Sequence, residues 1–218
     1  MKKNGFSIIE LLTVVFIIGL LASITFINYQ EVRGRLALNR AAHQLLQDLR
    51  KTQEMAMSSV QLNEAEGSCS LPLHLASLGN PLPLVPTDSK AKGYGIYINL
   101  SEDNKAYRLY ADTSADSGLG CSTYPPDECW QYYNLGDCIY KTIFIQESGV
   151  IIKNIKNINI GGQKVSINFA APNPDVNIAE LQNTQDTVEI VLVLESDPDN
   201  PDKQRTIIVN RAGLLGMK

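Results

Sequence analysis

Residues able to do chemistry are few in this chain of 218 residues. The two histidines are His43 and His74, and neither falls in an H-E-x-x-H pair or beside a G-x-S-x-G elbow. Nucleophilic and general acid–base catalysis both need a base placed against its partner, and no stretch supplies that pattern. The expectation is therefore no catalytic residue, no cofactor and no enzyme. The cysteines Cys69, Cys121, Cys129 and Cys138 form an even set downstream of a long apolar run. In an exported segment they favour two disulfides, with three connectivities open. Zinc is the competing reading, but the close C-x2–4-C pair of most structural zinc sites is missing. Asp197, Asp199 and Asp202 cluster in "SDPDNPDKQ". Asp197 and Asp199 match the first two ligand offsets of an EF-hand loop, yet that loop's glycine and final glutamate are missing and Pro201 takes its fifth position. A solvated hairpin loop is the reading, with calcium left open and no metal assigned.

One more ionisable residue stands out by its surroundings. Between Phe6 and Tyr29 the only charged residue is Glu10. As a helix of about 1.5 Å rise per residue this run spans roughly 36 Å, enough for a hydrocarbon core of about 30 Å. An acid at the centre of a membrane helix costs about 2.5–3.5 kcal/mol, less off centre, and marks function by default. A secretory signal peptide has an apolar stretch of about 7–15 residues and a small-residue cleavage site, which this run does not match. A plain anchor fits the length and leaves Glu10 unexplained.

The five residues ahead of the run, "MKKNG", make a short basic leader ending in Gly5. Together with "FSIIELLTVV" they closely resemble the cleavage and methylation motif of type IV prepilins and pseudopilins. The resemblance implies that a prepilin peptidase cuts between Gly5 and Phe6 and N-methylates Phe6. It also implies that Glu10, then the fifth mature residue, faces the N-terminal amine of a neighbouring subunit. Opposite charges in a low-dielectric helix bundle attract strongly, and either one alone is costly, so the pair would set the stagger between subunits. Gly19 and Ser23, with Ala22 adjacent, form a small-xxx-small pair that permits close helix approach. No proline lies in the later half of the run, so no melted stem is expected.

Beyond Tyr29 the pattern becomes amphipathic. Leu38, Ala42, Leu45, Leu49 and Ala56 recur at three, four or seven, with Ala41 and Leu46 beside them. Arg40, Gln44, Gln47, Asp48 and Lys51 are expected on the other face. One continuous helix is predicted from Phe6 to Ser59, its first half embedded and its second half packed on a head. "RAAHQLLQDLRKTQEMAMSS" resembles the post-membrane segment of minor pseudopilins and competence pilins, the GspH/FimT-like kind. Lys2 and Lys3 argue for a cytoplasmic N-terminus, although Arg33 and Arg35 weaken the charge bias.

Residues 60–218 are predicted to form the head. A proline-rich loop covers 71–93, since proline fixes φ and cannot donate to a sheet. "YGIYINL" and "AYRLYAD" flank "SEDNK" as a hairpin, and "YKTIFIQ", "GVIIKNI", "KVSINFA", "VEIVLVLE" and "RTIIVN" continue as strands. One long helix followed by strands gives α+β with a mainly antiparallel sheet. The head pattern also resembles that of GspH/FimT-like proteins, and the cysteine-rich segment 113–138 is read as an insertion between strands. Its aromatics Tyr124, Trp130, Tyr132 and Tyr133 fit a local mini-core or a contact surface.

Nineteen Lys and Arg against 23 Asp and Glu leave a formal charge of −4, which offers DNA no broad electrostatic footprint. The cationic tail, Lys203, Arg205, Arg211 and Lys218, lies beside the acidic loop, so DNA binding is disfavoured though open. The domain reading is leader 1–5, membrane and assembly helix 6–29, amphipathic stem 30–59 and head 60–218. The function implied is a structural, minor subunit of a type IV pilus or a type II secretion pseudopilus. Its partners would be prepilin peptidase, other pilin or pseudopilin subunits and, before assembly, the inner membrane. It would cross the cytoplasmic membrane once with its head outside the cytoplasm, then join a cell-surface or periplasmic filament. The alternative is a membrane-tethered binding module that contacts its ligand, including DNA in uptake, through head loops or the basic tail.

Overall fold

The computed structural model describes residues 7–58, 91–112, 138–159, 163–170, 176–179, 181–182 and 184–218, with the side chains of 24–28, 30 and 138 outside that set. The leader with Gly5 and Phe6, most of the proline-rich loop, His74, Cys69, Cys121, Cys129 and the aromatic cluster all lie outside the described residues.

A long helix, α1, runs Ile8–Met57 from an extended Ser7. Its length follows from a sequence rich in Leu, Ala, Ile, Gln and Arg with no proline inside it. It ends at Ser58, whose N–H and hydroxyl both turn back to the Glu54 carbonyl at 2.9 and 2.7 Å. From Leu38 onward its apolar face is buried: Leu38, Ala41, Ala42, Leu45, Leu46, Leu49 and Ala56. Each leucine withdrawn from water there contributes about 1.5–3 kcal/mol before chain entropy is counted.

Nine strands follow among the described residues, arranged as two antiparallel sheets where one was anticipated. β1 (Gly93–Asn99), β2 (Ala106–Asp112), β3 (Cys138–Phe144), β5 (Lys164–Ala170) and β6 (Val176–Ile178) form a sheet in the order β3-β2-β1-β5-β6. β4 (Val150–Lys156), β7 (Thr187–Leu194), β8 (Gln204–Asn210) and β9 (Leu215–Met217) form the other, in the order β4-β7-β8-β9. The chain crosses between the sheets after β3. That crossing is sewn to the β1–β2 turn by the amides of Ile145 and Ile152, which donate to the carbonyls of Lys105 and Asn104 at 2.7 and 2.9 Å. Helix α1 touches strands of both sheets, so one core serves them all.

Strand alternation fixes what each face carries. Tyr94, Ile96 and Ile98 of β1 point into the shared core with Val165, Ile167 and Phe169 of β5. Gly93 and Gly95 fall on the opposite face, beside Tyr110, Asp112, Ser166 and Asn168, all of which are buried. There the Tyr110 and Ser166 hydroxyls bond each other at 2.6 Å, and the Asn168 amide donates to Asp112 at 3.3 Å.

One helix residue departs from the amphipathic expectation. Asp48 is not a solvent-face carboxylate: it accepts a hydrogen bond from the Tyr107 hydroxyl at 2.5 Å and ties α1 to β2. Burial, then the carboxylate beside it, raises the pKa of Tyr107 well above the ordinary phenol value. Tyr140, edge-on to Tyr94 with its hydroxyl against the Met55 sulfur at 3.7 Å, is pushed up to about 12, chiefly by burial. A raised folded-state value means the stabilisation is complete below the ordinary phenol value of 10.0 and is lost as pH rises through the folded values. The contribution of these two tyrosines to head stability in urea titrations should therefore be flat from neutral pH to about pH 10 and fall above it, with their phenolate absorbance appearing only with unfolding. A variant Tyr107→Phe should show a shallower fall; identical slopes would count against the account.

Candidate functional site: the exposed stem and its exit from the head

Before Gly34 the helix leaves the head behind. Every described large apolar residue from Ile8 to Leu21 is more than half exposed, with Ile8 at 84% and Leu20 lowest at 51%. A continuous apolar surface of this kind marks a partner or a bilayer rather than a finished water-facing exterior. The polar groups within it are turned inward. Thr13 donates to the Ile9 and Glu10 carbonyls at 3.1 and 2.9 Å, and Ser23 donates to the Gly19 carbonyl at 2.8 Å. A methyl group at Gly19 would meet nothing within 4 Å, so nothing among the described residues requires glycine there.

Glu10 sits in the first turn, where the helix dipole favours an anion. Its side chain is exposed and has no hydrogen-bond or ion-pair partner among the described residues. The carboxylate is thus presented outward on an apolar rod. No helix among the described residues meets the length and hydropathy needed to cross a membrane. Side chains are described without a break only over 7–23 of this region, while the apolar run in the sequence continues to Tyr29.

Where the stem meets the head, a groove of roughly 940 Å³ opens between Tyr29, Val32 and Leu36 on one side and Ser148, Gly149 and Leu194 on the other. Gly34 faces the head wall here: a Cβ on it would lie 2.9 Å from Leu194 Cδ1, so glycine lets helix and sheet approach. Arg33 stacks over the Tyr29 ring at 4.3 Å. Sequence reasoning missed this groove, because its head-side wall is a turn and a strand end more than a hundred residues downstream of the stem.

The other chemistry-bearing residues do not converge. The Asp197 carboxylate accepts from Lys203 at 2.9 Å and from Asn200 at 3.1 Å, which holds its pKa below the usual range, Lys203 being the larger cause. Asp199 pairs with Lys153 at 2.7 Å. Asp197 and Asp199 are thus each paired with a lysine ammonium, and no cluster of three or more His, Cys, Asp or Glu that could hold a metal ion occurs among the described residues. The tail cations are likewise dispersed. Lys203 is committed to Asp197, and Arg205 reaches Asn39 at 2.6 Å and the Gln204 carbonyl at 2.7 Å. His43 is exposed on α1.

Residues 1–26 match the family model described as the prokaryotic N-terminal methylation motif. No curated protein matches the chain. Among solved structures, the minor pseudopilin EpsH from the Type 2 Secretion System of Vibrio cholerae is similar over 83% of this chain and 95% of its own, with a TM-score of 0.41 and 12% identity.

Proposed function

We propose that this chain, which carries the prepilin-type methylation motif of the type IV pilin and pseudopilin family, is a structural subunit of a filament assembled from the cytoplasmic membrane. The observation that carries the reading is Glu10: an outward carboxylate without a partner among the described residues, five residues beyond Gly5, on an otherwise apolar helix. Prepilin peptidase cuts after Gly5 and N-methylates Phe6. Before assembly the run Phe6–Tyr29 lies in the bilayer, with the head outside the cytoplasm. On assembly, neighbouring stems replace lipid at little hydrophobic cost, Gly19 and Ser23 permit close approach, and Glu10 meets the amine of an adjacent chain. The array is heterologous, each subunit offering one surface below and another above, so it grows as an open helix. A minor rank is supported by the likeness of the segment after the run to minor pseudopilins and competence pilins.

Mass spectrometry of the mature N-terminus tests this reading. Chains recovered from cells with active prepilin peptidase should begin at N-methylated Phe6. An intact Met1 in assembled filaments would overturn it.

A further inference from the structure

The flanks of the apolar run carry their charge the wrong way round for a simple anchor. Lys and Arg normally gather on the cytoplasmic side of a membrane helix. Removal of "MKKNG" would take Lys2 and Lys3 away, while residues 30–40 on the outer side hold Arg33, Arg35 and Arg40 against Glu31 alone. Two of these arginines have a carboxylate beside them: Arg35 bonds Glu31 at 2.9 Å, and Arg40 lies 3.9 Å from Glu147. Arg33 is exposed and has no hydrogen-bond or ion-pair partner among the described residues. Glu31 stands about 160° round the helix from it, turned towards Arg35. The Arg33 guanidinium lies instead over the Tyr29 ring, 4.3 Å from its centroid. Stacking occupies only the face of a guanidinium, so the in-plane N–H groups are left free to donate.

Height along the helix selects the anion. Tyr29 closes the apolar run, and a tyrosine at such an end sits at headgroup level. Arg33 follows four residues later, about 6 Å of rise, and helical side chains lean back towards the N-terminus. The stacked guanidinium is therefore level with the Tyr29 ring, inside a headgroup layer about 5–7 Å deep. Paired planar N–H donors match the oxygens of a phosphate diester bidentately. The same height fixes the other end of the stem. Glu10 is 19 residues below Tyr29, about 28 Å of rise, near the inner edge of a hydrocarbon core of about 30 Å. An acid costs least at such an edge, so holding Arg33 at the outer phosphates keeps Glu10 within reach of water until a neighbouring amine replaces it.

We infer that Arg33, stacked on Tyr29, is a receptor for the phosphate of an outer-leaflet phospholipid headgroup, with anionic lipids favoured, and that this contact sets the depth of the stem. This rests on the reading that Phe6–Tyr29 lies in the bilayer. The test uses the full chain carrying Lys2→Gln/Lys3→Gln, so that leader cations contribute nothing, in phosphatidylcholine vesicles. Flotation checks insertion, and circular dichroism checks the helix of every variant. Electron spin resonance then compares spin-labelled phosphatidylglycerol with spin-labelled phosphatidylcholine beside the protein. The phosphatidylglycerol should associate about fivefold more strongly, the increment expected of one cation at a lipid surface. Arg33→Gln should abolish the preference, and Tyr29→Leu should reduce it with no change of charge. Inorganic phosphate should compete no better than chloride at equal ionic strength. An inserted chain with no preference, an Arg33→Gln or Tyr29→Leu chain that keeps the full preference, or displacement by inorganic phosphate would overturn the inference alone. A chain that does not float with the vesicles would overturn the membrane reading along with it.

Discussion

Replacing Glu10 with alanine is expected to abolish incorporation into filaments while leaving membrane insertion intact. Insertion depends on summed apolar transfer along Phe6–Tyr29, and removing an acid can only favour it. Assembly is different on the proposed reading, in which the N-terminal amine created after Gly5 enters a bundle of apolar helices. An ammonium group in that environment is tolerated only beside an anion, and removing one partner of a buried pair costs about 3–5 kcal/mol. Each subunit contact would carry that cost, about two to three and a half powers of ten in each association constant. A polymer cannot absorb such a loss at every joint. Glu10→Gln should fail in the same way, since it keeps the shape and hydrogen-bonding capacity but not the charge. Membrane fractionation with immunoblotting of sheared filaments reads both halves of the prediction. Normal incorporation of Glu10→Ala would remove assembly as the role of the carboxylate and favour a tethered module that never polymerises.

The parts of the molecule legible in the sequence are those governed by local period. The buried face from Leu38 to Ala56 could be read from spacing alone, because a helix repeats every 3.6 residues and each of those side chains reaches the core. The hairpin of β1 and β2 was legible for a similar reason: alternating aromatic and β-branched residues on either side of a polar turn. The three-residue strands β6 and β9 were not, since a strand that short carries no period and exists only through its partners β5 and β8. Division of the strands into two sheets was equally hidden. It depends on where the chain crosses after β3, and the Ile145 and Ile152 amide bonds that fix the crossing join residues some forty to fifty apart. Asp48 shows the limit of helix-face reasoning. Its position is polar by period, but Tyr107 comes down from β2 to meet it.

The candidate site divides along the same line. Glu10 stands out in the sequence because it is the one charge in the run Phe6–Tyr29, five residues beyond Gly5. The groove at the stem exit does not, because Leu194 and Gly149 reach it only through the fold.

Gly95→Ala should lower head stability by about 3 kcal/mol, the upper end of ordinary overpacking. Gly95 faces Tyr110 across the β1–β2 ladder, and the tyrosine ring lies over the space a side chain would fill. A Cβ there would overlap the ring carbons and the hydroxyl. An exposed tyrosine could swing aside at little cost. Tyr110 is fully buried, and its hydroxyl is held by Ser166 on β5, so moving it breaks a buried hydrogen bond as well as the packing. The neighbouring position offers no relief, because a Cβ on Gly93 would press on the Asn168 side chain and lie 2.7 Å from the Phe169 carbonyl oxygen. Urea unfolding of the full chain in micelles measures the loss. Gly19→Ala serves as the contrast: with open space around it and alanine's better helix propensity, head stability should not fall. Adding Tyr110→Leu to Gly95→Ala should cost less than the sum of the two single changes, since the overlap disappears with the ring. Strict additivity, or a loss below about 1 kcal/mol for Gly95→Ala, would mean that the ring is free to move and that glycine is not required at this cross-strand pair.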